Sequence, residues 1–366
     1  MTTRFWLWCC ILLTLLLPLC VYAESSASQS RPFSMGFTRW PPEVTLEGVA
    51  MVDAFIARHA DMVSLHLDNG IPWQESLDGK PYSQDVTNRL SYRPPAGYRF
   101  YVAITPLSTM RDTMAGYWGE KDNQPLPEAW QNLALDDPKV IKAYTQYALR
   151  VVDATRPDYF VIGVEVNELV SNTPSVWPGY VALHKATYQA VKAKHPNLPV
   201  FASFNVLHWK GIADRSDAET HERAIAEIIP YTDAIGLSYY PFMSYNTPDP
   251  LPEDYLAFAT KYGKPVAMTE TGFTSENVMV KILPLFGSEE KQKHYYEFLF
   301  RTALRDRYLF IITFCTTDFE KLAATLPDPM DDFAGIWKYT GLQNSDGKPK
   351  PALTVWDAML ATPYRR

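Results

Sequence analysis

The chain has 366 residues, of which 47% are hydrophobic, 20% charged and 14% aromatic. This composition is typical of a globular protein and excludes a disordered or collagen-like chain, and the length allows one large domain or two smaller ones. The net charge of −7, without a concentrated basic stretch, disfavours a nucleic-acid partner.

The N-terminal segment has the features of an export signal. A single basic residue, Arg4, precedes an apolar run over residues 5–19, and small residues follow it. We predict a signal peptide over residues 1–23 and a linker over residues 24–32, which gives a secreted or periplasmic protein. If the segment is not cleaved, it would anchor the chain in a membrane, because its length is close to that of a membrane span.

The cysteine positions agree with a large exported domain that needs no disulfide bonds. Cys9, Cys10 and Cys20 all lie in the predicted signal peptide. Only Cys315 remains, inside an apolar run, and we expect it to be a core residue rather than a nucleophile.

Eight strand-then-helix units follow the linker. The predicted strands are short apolar runs and the predicted helices have apolar residues at three-to-four spacing. The predicted strands cover residues 33–37, 62–68, 98–106, 158–166, 198–205, 233–240, 264–271 and 308–315. The predicted helices cover residues 44–60, 84–90, 136–155, 179–194, 218–229, 252–262, 288–306 and 352–361.

The pattern of these strands favours a closed parallel barrel. Runs such as YFVIGV and LFIITF are apolar without alternation, as expected for strands covered on both faces. Eight such units predict an α/β fold, a single (β/α)8 TIM barrel with long βα loops, over residues 33–366. A doubly wound open sheet is the alternative, but the turn after the first strand, GFTRWPP, is not the glycine-rich phosphate loop typical of that fold.

In a (β/α)8 barrel, the active site lies at the carboxyl ends of the strands. Two acids there are the candidate catalytic residues, Glu165 after YFVIGV and Glu270 after PVAMT. A carboxylate at the end of a buried strand is costly to desolvate unless it has a partner or a function. Acids on strands four and seven face each other across the barrel mouth, which suits a proton donor and a nucleophile on either side of a glycosidic bond.

Several segments resemble clan A of the glycoside hydrolases, a superfamily of retaining (β/α)8 enzymes. VIGVEVN resembles the strand-four motif of the clan and VAMTETGF its strand-seven motif, while TGLQNSDGKPKPALTVW is similar to its final loop and helix. AIGLSYYPF is similar to strand six of the endo-β-1,4-galactanases of family 53. The resemblance implies that Glu165 is the acid/base, that Glu270 is the nucleophile and that a polysaccharide or oligosaccharide is cleaved with retention.

One position departs from the clan. The clan has Asn before the acid/base, where it holds the sugar 2-hydroxyl, whereas this chain has Val164. Either Asn167 takes over that contact, or the Asn-Glu pair of the clan corresponds to Asn167 and Glu168. We favour Glu165 as the acid/base, since the second choice needs an unusually long strand. The departure also leaves open a catalytically inactive, carbohydrate-binding protein on the same barrel.

Polar and aromatic residues at the other strand ends are candidates for substrate binding. They are Trp40, His66, Asp68, Asn205, Trp209, Tyr239 and Tyr240, together with Asn167 and Glu168. Of Tyr239 and Tyr240, we expect one to contact Glu270 and the other to pack under the helices, because successive strand residues point to opposite faces. One or two of Trp40, Trp73, Trp118, Trp177 and Trp209 are expected to stack on sugars.

The sequence gives no indication of a cofactor. The seven histidines are scattered without zinc-ligand spacing, so we expect no metal. A metal-dependent hydrolase using His66 and Asp68 remains an alternative that would need a third ligand. The expected partner is a carbohydrate, and we expect a monomer.

Overall fold

Eight parallel strands close into a barrel in the computed structural model, which describes residues 30–213, 215–325 and 335–365. The barrel strands are β1 (Ser34–Thr38), β2 (Met62–Leu67), β3 (Arg99–Ile104), β4 (Tyr159–Val161), β5 (Val200–Asn205), β6 (Ile235–Tyr239), β7 (Val266–Thr271) and β10 (Phe310–Thr313). A separate antiparallel hairpin consists of β8 (Val278–Val280) and β9 (Leu283–Leu285). The predicted signal peptide and residues 24–29 of the linker lie outside the described residues.

Closure of the sheet decides between the two predicted folds. β1 pairs with β2 on one side and with β10 on the other, both in parallel, so the sheet has no free edge. The predicted single (β/α)8 barrel is therefore confirmed, and the open doubly wound sheet is excluded.

Helices surround the barrel. They are α1 (Leu46–His59), α2 (Trp73–Asp78), α3 (Gln84–Leu90), α4 (Pro138–Thr155), α5 (Glu168–Asn172), α6 (Trp177–Lys194), α7 (Val206–Trp209), α8 (Ala218–Ile228), α9 (Glu289–Asp306), α10 (Glu320–Ala323) and a C-terminal helix (Pro351–Leu360). Short 3-10 helices cover Glu128–Trp130, Pro174–Val176, Ile229–Tyr231, Pro241–Met243 and Ala257–Tyr262. None of the helices in the described ranges is both long and apolar enough to span a membrane.

The barrel interior is filled by aromatic side chains around Phe310 of β10. The ring of Phe310 lies 5.0 Å from that of Tyr101 and 4.9 Å from that of Tyr159, measured between centroids. Phe201 of β5 approaches the same ring at 6.3 Å. The barrel is therefore a packed core rather than a channel, and the space for chemistry lies at its rim.

The element boundaries follow from local sequence signals. The predicted start of the third helix, α4 in the structure, at an Asp-Pro pair is confirmed, because the Asp137 side chain accepts a hydrogen bond from the Lys139 amide at 2.8 Å and Pro138 occupies the first turn. Apolar runs also place β2, β3 and β7 within a residue or two of the predicted positions. Cys315 is 1% exposed, as expected for a core residue, and burial raises the pKa of its thiol to about 12.

Three predicted elements differ from the structure. The sequence predicts a strand over residues 158–166, but β4 ends at Val161 because the chain turns there and Glu165 adopts a φ of 50°. The predicted helix over residues 252–262 is a 3-10 helix over Ala257–Tyr262. Arg31, placed in the predicted linker, is buried, pairs with Asp61 and forms a β-bridge with Tyr364.

A buried ion pair lies within the loop between β10 and the C-terminal helix. Lys350 Nζ lies 2.6 Å from Asp318 Oδ1, and the side chains are 4% and 2% exposed. Lys350 also donates to Ser275 Oγ at 2.8 Å, and Asp318 accepts from the Gly341 amide at 3.0 Å. Burial raises the pKa of Asp318 to about 6 although Lys350 opposes this shift, and burial lowers the pKa of Lys350.

Replacing Lys350 by Met should destabilise the protein by about 3 kcal/mol at pH 8, because a buried carboxylate would lose its counter-charge. The pKa of Asp318 is higher in the folded state than in the unfolded state, so its ionisation removes stability as the pH rises through about 6. The loss in the variant should therefore be larger at pH 8 than at pH 4.5. Urea unfolding at the two pH values measures it. The double variant with Asp318→Asn is the control and should recover part of the loss; equal losses at both pH values would contradict the argument.

Candidate active site

The two predicted catalytic acids lie at the same rim of the barrel. Glu270 is in β7 and is 5% exposed. In the pairing of β7 with the neighbouring strand β6, Glu270 lies opposite Ser238. The Ser238 hydroxyl donates to Glu165 Oε1 at 2.7 Å. Ser238 therefore stands beside Glu270 and also binds Glu165, so the two carboxyl groups converge on one point of the rim.

The backbone around Glu165 is unusual and directs its side chain inward. Glu165 has a φ of 50°, a left-handed conformation that is unfavourable for a residue with a side chain. Its amide donates to Ser203 Oγ at 2.9 Å, and its carboxylate also accepts from Asn205 Nδ2 at 3.3 Å. The turn after β4 is thus fixed by the neighbouring strand β5, and strain of this kind is frequent at functional sites.

Glu270 is enclosed by two side chains that sequence analysis had selected. The Tyr240 hydroxyl donates to Glu270 Oε2 at 3.3 Å, and His66 Nδ1 lies 3.5 Å from Glu270 Oε1. Burial raises the pKa of Glu270 well above its usual range, and the charge of Glu165 raises it further. Burial lowers the pKa of His66 to about 4, so the imidazole is neutral at pH 7.

A buried arginine that sequence analysis missed balances these acids. Arg111 lies in the loop after β3 and is 4% exposed; its guanidinium lies 2.8 Å from Asp68 Oδ2 and 3.7 Å from Glu165 Oε2. Burial alone would lower the pKa of Arg111, but Asp68, Glu165 and Glu168 outweigh it and raise the pKa. No strand pattern marks Arg111, because it sits on a long loop whose path is set by tertiary contacts.

Glu168, the alternative acid/base, also belongs to the site. It begins helix α5, and Asn205 Nδ2 donates to Glu168 Oε1 at 2.7 Å as well as to Glu165. Burial raises the pKa of Glu168 to about 8, and the charge of Glu165 contributes to that shift. Asn205 therefore bridges the carboxyl groups of Glu165 and Glu168. Of these two acids, Glu165 is the one that contacts Ser238, the neighbour of Glu270 on β6.

Three predicted binding residues lie behind the rim, and these predictions need correction. The Asn167 side chain is fully buried and bonds the Asn205 backbone at 3.0 and 2.7 Å, so it cannot replace the missing sugar contact. Trp209 is 3% exposed and donates to Glu222 at 2.8 Å between helices. Tyr239 is fully buried and packs on Tyr255, which agrees with the expectation that only one of the two adjacent tyrosines faces Glu270.

Aromatic rings line the rim beside Glu270. Trp40 is half-buried and lies 6.4 Å from the His66 ring. Trp337, which was not predicted from the sequence, lies 4.6 Å from the rings of both Tyr240 and Phe314 and follows the last barrel strand by more than twenty residues. Other tryptophans proposed for stacking, Trp73, Trp118 and Trp177, are buried in the core.

The position before Glu165 confirms the departure from the clan. Val164 is 1% exposed and packs with the apolar residues of the barrel interior, among them Val161 and Phe201. It offers no polar group to a ligand.

Within the described ranges, no group of three or more His, Cys, Asp or Glu side chains is arranged to hold a metal ion. Asp68 pairs with Arg111, and His66 faces Glu270.

Comparisons with known proteins agree with this geometry. The sequence profile of glycosyl hydrolase family 53 matches residues 114–298. An arabinogalactan endo-β-1,4-galactanase of Cellvibrio japonicus is 28% identical over 236 residues, which are 60% of this chain and 57% of that protein. An uncharacterised protein in the bgaB 5′ region of Niallia circulans is 26% identical over 171 residues, 43% of this chain and 45% of that protein. The chain thus spans about half the length of the curated relatives it matches.

Solved structures show the same fold. The family 53 catalytic domain of Ignisphaera aggregans is similar with a TM-score of 0.54 and 19% identity, over 86% of this chain and 88% of that one. A fungal β-1,4-galactanase gives a TM-score of 0.54 and 15% identity, over 83% and 89% of the two chains. The family profile covers half of the sequence and includes both Glu165 and Glu270. The chain belongs to glycosyl hydrolase family 53.

Proposed function

We propose that this protein is a retaining glycoside hydrolase that cleaves a β-1,4-galactan-type polysaccharide outside the cytoplasm. The observation that carries the proposal is the convergence of Glu165 and Glu270, with Ser238 contacting the first and standing beside the second. The substrate class is suggested by the galactanase of Cellvibrio japonicus, and the location by the signal-like N-terminal segment.

The reaction uses the two acids in succession. Glu270 attacks the anomeric carbon as a carboxylate while Glu165 donates its proton to the leaving oxygen. A covalent glycosyl-enzyme results, and Glu165, now ionised, removes a proton from the water that releases the sugar. Because the charge of Glu165 raises the pKa of Glu270, a proton on Glu165 favours ionisation of Glu270, which is the arrangement that the first step requires.

The surrounding residues support this division of roles. The Tyr240 hydroxyl donates to Glu270 Oε2 and orients the nucleophile. Trp40 and Trp337 supply aromatic rings beside it, on which the apolar face of a sugar can stack. Arg111 neutralises Asp68 and keeps the cluster of four carboxyl groups from accumulating uncompensated charge.

A mechanism-based fluorinated glycoside tests the proposal. Incubation should add the mass of one glycosyl group to Glu270, identified by peptide mass spectrometry, and proton NMR of polymer hydrolysis should show the β-anomer first. Initial release of the α-anomer would contradict a retaining mechanism. A panel of galactan, arabinogalactan, mannan and xylan defines the substrate, and the proposal expects cleavage of galactan.

A carbohydrate-binding protein without activity is the second candidate, and Val164 is the observation that favours it, since the 2-hydroxyl contact of the clan is missing. This candidate predicts galactan binding in affinity electrophoresis with neither turnover nor labelling of Glu270.

A further inference from the structure

A second cleft lies on the outer side of the barrel, next to the catalytic rim. It has a volume of about 380 Å³ and runs between the loop after β6, residues 241–251, and the outer side of α9. Lys291, His294 and Arg301 line it from the helix, and Phe273 and Phe286 from the loop after β7. The acids of the active site are not part of its lining.

Aromatic rings in this cleft remain accessible. Tyr245 is 62% exposed and Phe286 is 54% exposed, and their ring centroids are 6.3 Å apart. Phe242 and Phe273 lie deeper, with ring centroids 5.8 Å apart. Two exposed aromatic rings side by side do not contribute the hydrophobic stabilisation that their burial would give. An exposed apolar cluster of this kind marks a site where a ligand covers the rings.

The polar groups of the cleft suit a neutral ligand rich in hydroxyl groups. Lys291 is already paired with Asp249, at 2.7 Å between Nζ and Oδ2. The exposed side chain of Arg301 forms no ion pair or hydrogen bond within the described part of the chain, so its guanidinium can donate to a ligand. Aromatic faces combined with a few hydrogen-bonding groups are the usual means of binding a sugar rather than an ion.

The cleft is connected to the catalytic rim by stacked rings. Phe242 lines the cleft and its ring centroid lies 6.5 Å from that of Tyr240, which donates to Glu270. Both the cleft loops follow the carboxyl ends of β6 and β7, so they belong to the face that receives the substrate. A polymer held at the rim can therefore reach the cleft.

We infer that this cleft is a second carbohydrate-binding site, which holds a segment of the polysaccharide away from the bond that is cleaved. The inference rests on the proposed function for the identity of the polymer. Tyr245 and Phe286 contact the faces of the sugar rings and Arg301 donates to their hydroxyl groups.

The test compares polymer with a small substrate. Tyr245→Ala and Phe286→Ala together should raise KM for galactan about tenfold, since each ring–sugar contact contributes a factor of a few. Hydrolysis of an aryl galactoside should be unchanged, because it occupies only the catalytic rim. Met279→Ala is the matched control, since Met279 is 64% exposed on the adjacent hairpin but does not line the cleft. An unchanged KM for galactan would overturn the inference.

Binding without turnover separates this inference from the proposed function. In affinity electrophoresis with galactan, the double variant should be retarded less than the wild type, whether or not either protein hydrolyses the polymer. If the wild type binds galactan but cleaves no glycoside, the proposed activity fails and the second site stands. The double variant could instead sediment with a lower molecular mass than the wild type and bind galactan normally. In that case the cleft is a contact between copies of the chain and the inference is wrong.

Discussion

The Glu270→Gln variant is expected to lose turnover by a factor on the order of 10⁴ or more, on polymer and aryl glycoside alike. The amide is nearly isosteric and can still accept the hydrogen bond that Tyr240 gives to the carboxylate. It cannot act as the nucleophile, so no glycosyl-enzyme can form. Initial rates measured with enzyme freed of wild-type contamination, and labelling by the fluorinated glycoside, check the expectation.

The same substitution should make the folded barrel more stable. Burial and the charge of Glu165 raise the pKa of Glu270 above its value in the unfolded chain. The folded protein therefore binds more protons, and its stability falls as the pH rises from the unfolded pKa towards the folded one. A glutamine does not ionise and avoids that loss, so the difference in Tm between variant and wild type should grow from pH 5 to pH 8.

Glu276→Gln is the matched control for both measurements. Glu276 is exposed in the loop that follows the same strand. The control makes the same chemical change six residues further on and should alter neither rate nor Tm. Near-normal activity of Glu270→Gln on a substrate that the wild type cleaves would remove Glu270 from the mechanism.

Residues at the ends of the predicted strands could be identified from the sequence. Apolar runs locate β7, and the alternation of side chains sets the direction of the residue that ends such a run at the rim, so Glu270 was predictable. The same alternation predicts that one of Tyr239 and Tyr240 faces Glu270, and the structure shows that this one is Tyr240, while Tyr239 packs on Tyr255. Alternation thus predicts the direction of a side chain only where the backbone is regular.

Residues on long loops could not be predicted in this way. Arg111 and Trp337 lie on the loops that follow β3 and β10, whose paths depend on contacts such as the pair of Arg111 with Asp68. Trp209 was misassigned because it follows a strand closely, yet a one-turn helix turns it towards the helix layer. Glu165 adopts a left-handed conformation although it is not a glycine, so the sequence likewise does not indicate the turn at this position.

The assignment of the acid/base to Glu165 rather than Glu168 depends on which carboxyl group reaches the scissile bond. Glu165 contacts Ser238, the ladder partner of Glu270, and its charge adds to the effect of burial in raising the pKa of Glu270. Glu168 contacts Asn205 and is the first residue of α5. Proton transfer needs a donor at hydrogen-bond distance from the leaving oxygen, which favours Glu165.

The variants Glu165→Gln and Glu168→Gln should therefore differ by about two orders of magnitude or more at pH 7. Glu165→Gln should reduce polymer hydrolysis by about 10³–10⁴-fold, because an unactivated sugar leaving group needs the proton. Glu168→Gln should stay within about tenfold of the wild type. Burial raises the pKa of Glu168 to about 8, so the wild-type side chain is already neutral at pH 7 and the amide imitates that form.

Leaving-group and pH dependence make this comparison decisive. With a nitrophenyl glycoside, whose leaving oxygen needs no proton, Glu165→Gln should still form the glycosyl-enzyme rapidly and release it slowly, which gives a burst in stopped-flow absorbance. The wild type should lose stability as the pH rises from 4.5 through about 8, where Glu168 ionises, and Glu168→Gln should lose less over the same range because the contribution of Glu168 is gone. A burst in Glu168→Gln instead, with normal polymer hydrolysis by Glu165→Gln, would assign the proton transfer to Glu168.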